Sequence, residues 1–267
     1  VSQLVLSLRR YLPATNGQGA LWLGFYAVIL LAWAGVVMMA RQVPGADLSS
    51  VPAEFWAALC LSAADADPVA LWAMWALMVS AMMLPTIAPA LRTFIDLSAT
   101  GATDRKGAVA LVLGYVGVWL VASVLGAFAQ WGLARAGMIG PAGQSLSPWL
   151  TASLLIGAGA YQFSALKDGC LSKCRMPITF FMERWRPGSG AALRMGAELG
   201  VICLGCCWAL MALGFIGGMM NLFWMGAATA FMALEKLPDI GRYLTRPAGA
   251  LLVTAGGVLL LRTIATI

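Results

Sequence analysis

Residues 193–216 read Leu-Arg-Met-Gly-Ala-Glu-Leu-Gly-Val-Ile-Cys-Leu-Gly-Cys-Cys-Trp-Ala-Leu-Met-Ala-Leu-Gly-Phe-Ile. The stretch exceeds the ~20 apolar residues that cross a bilayer's hydrocarbon. Its charges, Arg194 and Glu198, both fall near its start, so the stretch predicts a transmembrane helix. Further apolar runs at 20–40, 69–91, 108–133, 149–166, 221–237 and 248–266 extend the prediction to about seven transmembrane helices. The count is six if the short 221–237 run, which follows Gly217, Gly218 and Asn221, folds back on its predecessor as a hairpin or re-entrant pair.

Composition agrees. Of 267 residues, 61% are hydrophobic and 10% charged, against roughly 25% charged in a soluble domain. The 11 Trp and 30 Gly fit interfacial anchoring and close helix contact rather than the polar/apolar alternation of a barrel. The expected fold is an all-α polytopic bundle, one integral membrane domain over residues 1–267. The run at 20–40, behind Arg9 and Arg10, is too long for a cleaved signal and is expected to stay as an anchor.

The net charge is +6 with no His. Basic residues at 9, 10, 105, 106, 167, 173, 175, 184, 186, 194, 236, 242 and 246 alternate with the acidic 41–68 loop, which carries Asp47, Glu54, Asp65 and Asp67. By the positive-inside rule the amino terminus is cytoplasmic and, with seven spans, the carboxyl terminus exoplasmic. The setting expected is a bacterial-type inner (cytoplasmic) membrane. Such a basic excess belongs to loops beside lipid, so no nucleic-acid partner is expected. Segment 167–192 is then a cytoplasmic loop. Its Phe180, Phe181, Met182 and Trp185 allow an amphipathic helix on anionic headgroups, and its basic residues allow a solvated loop.

Cys203, Cys206 and Cys207 stand at i, i+3 and i+4, on one helical face and near mid-membrane. Without His, a metal site must use thiol, thioether, carboxylate or backbone, and such soft donors favour Cu(I) over zinc. A thiolate buried there needs a proton, a metal or a cation beside it. Met74, Met78 and Met82 repeat every fourth residue, ahead of the helix-breaking Pro85 and Pro89, and Met211 follows Cys207 by four. Met78, Met82 and Met211 are candidate thioether ligands, although methionine also fills gaps between helices. Cys170 and Cys174 form a second pair beside Lys167, Lys173 and Arg175, neighbours expected to lower their pKa and make them reactive from the cytosol. Glu198 and Lys236 are candidates to pair with each other, and Gly114-Tyr115-Val116-Gly117 is a candidate docking face.

The stretch from Tyr161-Gln162 through Cys170, Cys174-Arg175, Trp185-Arg186-Pro187-Gly188, the Cys203–Met211 motif and Leu234-Glu235-Lys236, with Met82-Met83-Leu84-Pro85 before it, resembles domain of unknown function 2182. That family is described as predicted metal-binding integral membrane proteins, and the resemblance covers roughly residues 70–245. It implies metal handling. Relatives commonly carry His where this chain has Leu199 and Lys173, which implies that this chain either binds through sulfur alone or has lost the site.

Three functions follow. The first is binding of Cu(I) through membrane thiols and thioethers for delivery, sequestration or cofactor assembly, without catalysis, with a cuproprotein or copper carrier as partner. The second is a structural accessory subunit of a larger membrane complex. The third is a thiol oxidoreductase, disfavoured because buried, uncharged surroundings oppose a reactive thiolate. No nucleotide-binding motif supports an active pump.

Overall fold

The computed structural model describes residues 18–41, 68–97, 105–140, 143–219, 221–238 and 240–266. Arg9, Arg10, Cys60 and the four acidic residues of the 41–68 segment lie outside the described residues. The chain folds into α1 (Gln18–Arg41), α2 (Pro68–Leu97), α3 (Arg105–Arg135), α4 (Pro148–Tyr161) and α5 (Ala165–Arg175). These are followed by α6 (Pro177–Arg184), α7 (Ser189–Ala212), α8 (Gly214–Gly217), α9 (Leu222–Glu235) and α10 (Gly241–Ala265). The only extended pairing among the described residues is one isolated bridge, Ile139 with Ser145.

Among the described residues, five segments are long and apolar enough to cross a membrane: Gly19–Ala40, Pro68–Leu97, Lys106–Arg135, Ser189–Gly217 and Tyr243–Ala265. Outward-facing Leu23, Leu30, Leu125, Leu251 and Leu261 are each about 70% exposed, a surface that only a non-aqueous surrounding makes favourable. Helices also form at the other two expected spans, but α4 and α9 have 14 residues each, or ~21 Å at 1.5 Å per residue. That is short of a ~30 Å hydrocarbon core. Local signals set those lengths. Ser164 stops α4 by capping α5, its hydroxyl accepting from the Lys167 amide, and Asn221 caps α9 by accepting from the Trp224 amide.

α2 runs through Pro85 and Pro89 to Leu97, rather than breaking after Met83. Proline at 85 and 89 removes the amide donors to the Ala81 and Pro85 carbonyls, a loss that a membrane helix packed among neighbours tolerates. Between these turns the Met83 carbonyl accepts from Thr86 at 2.8 Å and from Tyr115 of α3 at 3.2 Å.

The closest packing joins α3 to α7. A methyl on Gly114 would overlap the Leu193 carbonyl, and one on Gly196 would overlap the Leu111 carbonyl, so only hydrogen allows these backbones to meet. Gly114 is therefore spent inside the chain and not on a docking face. α10 meets α4 by the same device, Gly159 and Gly249 lying against each other's backbones.

Cross-contacts orient the bundle. Tyr115 meets Thr86 while Gln130 accepts from Trp75, so α2 and α3 are antiparallel. Trp75 also packs on Gly126 and against Phe215 just beyond α7, so α3 and α7 run the same way. The ends bearing Arg92, Lys106, Arg184 and Arg194 thus lie together. The 167–192 segment is helical over most of its length rather than an open solvated loop. It forms α5 and α6, with Lys167, Leu171, Phe180 and Phe181 buried, and Phe94 of α2 stacks at 5.5 Å on Phe181 and at 5.3 Å on Trp185.

Candidate soft-metal centre

α7 forms because its apolar run carries no proline and places small and apolar residues on the inner face: Ala192, Gly196, Leu199, Gly200, Cys203, Cys207 and Leu210 are all buried. Cys203 sits midway along Ser189–Gly217, hence at the centre of the bundle. The three sulfurs of Cys203, Cys206 and Cys207 lie within 4.8 Å of one another. Cys206 and Cys207 Sγ are 3.3 Å apart, and the Cys206 thiol donates to the Cys203 carbonyl at 3.1 Å.

Cys203, 2% exposed, has a further set of neighbours. Lys236 Nζ, just past the end of α9, donates to its sulfur at 3.0 Å, and the Tyr115 hydroxyl lies 3.0 Å away on another side. Tyr115 is held in turn by Thr86 at 3.0 Å. The expected Glu198–Lys236 pair does not form. Glu198 Oε2 meets Arg184 at 2.9 Å and Oε1 meets Arg194 at 3.3 Å, both one turn or less from the basic end, whereas Lys236 turns inward. An ammonium here supplies the cation that a buried thiolate requires.

Lys236 owes its position to a buried pair beside it. Glu235, 1% exposed, receives Lys167 of α5, 0% exposed, through both oxygens at 2.9 and 3.1 Å. Arg175 Nε donates to the Glu235 carbonyl at 2.9 Å. These bonds fix the end of α9 against α5, so the next residue, Lys236, projects at the thiols.

α5 carries Cys170 and Cys174 to the same place. A Cβ on Gly205 would stand 2.7 Å from Cys170 Sγ, and Cys174 interacts with the Cys206 thiol. Burial raises the Cys170 pKa, outweighing the opposite pull of Lys173. That corrects the expectation of a reactive cytosolic thiolate: Cys170 faces α7 rather than open solvent. Among the described residues five cysteines are free, and all five converge. Cys174, Cys203, Lys236, Tyr115 and Thr86 share the wall of a cavity of about 460 Å³.

Met78, Met82 and Met211 line a separate, smaller cavity together with Met219 and Met225. Reading the sequence missed Tyr115, Thr86, Met219 and Met225, and gave Lys236 the wrong partner. For Tyr115 the available signal was a lone phenol in an apolar span, since a buried hydroxyl must find a partner. Lys236 next to Glu235 at the end of an apolar run was visible, but which way each turned depended on α5.

Fold and site together define an all-α protein with apolar helices fit for a membrane and a buried cluster of soft ligands. The chain belongs to the copper chaperone family PpoB2, whose match runs over residues 72–259. The expected kinship with metal-binding membrane proteins is met at the level of a copper-related family, and the matching family carries this description rather than the name domain of unknown function 2182. No curated protein and no solved structure matches the chain.

Proposed function

We propose that this protein carries Cu(I) as cargo on Cys203, Cys206 and Cys207 and delivers it to a cuproprotein in or across a bacterial-type inner membrane. The observation that carries the reading is the set of three thiols within 4.8 Å at mid-span with the Lys236 ammonium 3.0 Å from one of them. Cu(I) on two thiolates carries one negative charge, and Lys236 offsets it where burying net charge costs several kcal/mol. Sulfur without imidazole suits Cu(I) better than the divalent ions. The family's copper chaperone description supports the same cargo.

Cys170 and Cys174 act as the receiving pair, and the 460 Å³ cavity beside Cys174 and Cys203 is the way in from the cytosol. The basic end of the bundle faces the cytoplasm, with seven crossings and an exoplasmic carboxyl terminus. α4 and α9 cross as short helices flanked by capped turns. Nothing in the fold favours the alternative of a purely structural subunit.

The test replaces Cys203, Cys206 and Cys207 with Ser in the full chain, purified reduced in detergent. Serine is close in size and bonds the preceding turn's carbonyl, so insertion should persist while copper that resists a competing chelator disappears. Undiminished chelator-resistant copper in that variant sinks the reading.

A further inference from the structure

Methionine ordinarily closes gaps, because three rotatable bonds let it fill irregular space. Met78 and Met82 of α2, Met211 of α7, Met219 before α9 and Met225 within it do the reverse. They surround a cavity of about 20 Å³ and leave it open. That is about the volume one small atom or ion needs, since a single water requires roughly 10–15 Å³ on the same measure. Four of the five are buried, at 3–4% exposure. Every sulfur among the lining residues is a thioether, and no lining residue titrates. Apolar surroundings with several soft, neutral donors suit a soft monovalent cation and offer nothing to a hard or divalent one.

Its position is as specific as its chemistry. Met211 is one turn beyond Cys207, and Met82 is one turn from Thr86, which shares the Tyr115 contact at Cys203. On the opposite side, Met219 Sδ is 2.7 Å from the place of a Gly214 Cβ, and Met219 Cγ is 3.0 Å from that of Gly143. Gly143 belongs to the connection after α3, at the end of the bundle away from the clustered basic residues. α7 stops at Ala212 and resumes as the single turn α8, which makes the room.

We propose that Met78, Met82, Met211, Met219 and Met225 form a second soft-metal site, built of thioethers alone, that binds Cu(I) more weakly than the thiols and holds it at the far end of the bundle for release. Its role as the next station rests on the thiol cluster being a copper site, whereas its capacity to bind does not. Neutral donors leave the ion its charge and lose no proton on binding, so the affinity stays constant with pH where a thiolate site weakens in acid.

The experiment counts Ag(I), a redox-inert stand-in for Cu(I), bound at equilibrium by the full chain in detergent. A chain with all its cysteines replaced by Ser should bind one ion with the same affinity in mildly acidic and mildly basic buffer. Adding M82L, M211L and M225L, volume-conserving swaps that cores tolerate, should abolish that binding. In the cysteine-containing chain the same three substitutions should remove one ion and leave the thiol-bound one, a readout that stands even if the cysteine-free chain fails to fold. Equal Ag(I) counts for the parent chain and its methionine variant overturn the proposal, as does a cysteine-free chain that folds and binds none. If the parent and cysteine-free chains bind the same number, the thiol site fails and the thioether site stands.

Discussion

At the scale of single residues, the contact that decides the chemistry is Lys236 Nζ on Cys203 Sγ at 3.0 Å. Lys236→Met keeps length and apolar bulk while deleting the charge, so a copper-loaded cluster would be left with uncompensated charge in a dry interior. We expect at least tenfold weaker copper retention against a chelator, about 1.4 kcal/mol, with helix content and insertion unchanged, and competition titration of the purified protein measures it. An unaltered titration would show that Lys236 is only a helix end. The cysteines themselves were legible, because i, i+3, i+4 spacing gathers side chains whatever lies opposite. Their neighbours were not. Lys236 stands 33 residues from Cys203 and Tyr115 stands 88 away, distances over which no periodicity speaks. Cys170 shows the same limit from the other direction. Its basic sequence neighbours argue for an acidic thiol, and only the packing of α5 on α7 reveals the burial that reverses it.

At the scale of elements, α5 and α9 are fastened by Lys167 and Glu235, a pair almost wholly out of solvent. Breaking such a pair strands a buried charge at roughly 3–5 kcal/mol, whereas replacing both members with apolar residues is often near neutral. Lys167→Met alone should therefore lower the melting temperature of the detergent-solubilised protein sharply and weaken copper retention, because the Glu235 anchor of Lys236 is lost. The double variant K167M/E235L should recover most of the melting temperature. Equal melting for single and double variants would contradict this account. Element lengths were only partly legible. Apolar runs located α4 and α9, but their 14-residue extents follow from Ser164 and Asn221 acting as caps, and capping residues in a glycine-rich membrane sequence are easily read as polar interruptions. Pro85 and Pro89 misled for a related reason. A proline bends a packed membrane helix more readily than it ends it, since the neighbouring helices hold the flanking turns in place.

At the scale of the whole molecule, Arg92, Lys106, Arg184 and Arg194 gather at one end once helix directions are known, Arg135 stands at the other end, and the acidic 41–68 segment lies outside the described residues. In a cysteine-free chain returned to cells, Glu183→Cys should be shielded from a membrane-impermeant thiol reagent applied outside. Ala136→Cys, exposed at the other end, should be labelled. The reverse pattern would invert the topology, and labelling of both would mean that the α4–α6 stretch between them does not cross. The fold class was legible because hydrocarbon imposes a length and a composition on every span. The convergence of α5 with α7 was not, since a basic segment of that length reads equally well as a loop. Tyr161 donates its hydroxyl to the Gly205 carbonyl and lies edge-on to Trp208, with ring centroids 5.1 Å apart, while Trp208 follows Cys207 directly and is half exposed. Successive helix residues face different sides, so the exposed indole and the buried thiols are linked through the backbone, and an ion that moved the Gly205 turn would alter the ring pair. In a chain whose other tryptophans are replaced by Phe, Trp208 emission that changes on adding Ag(I) would make that movement visible in light.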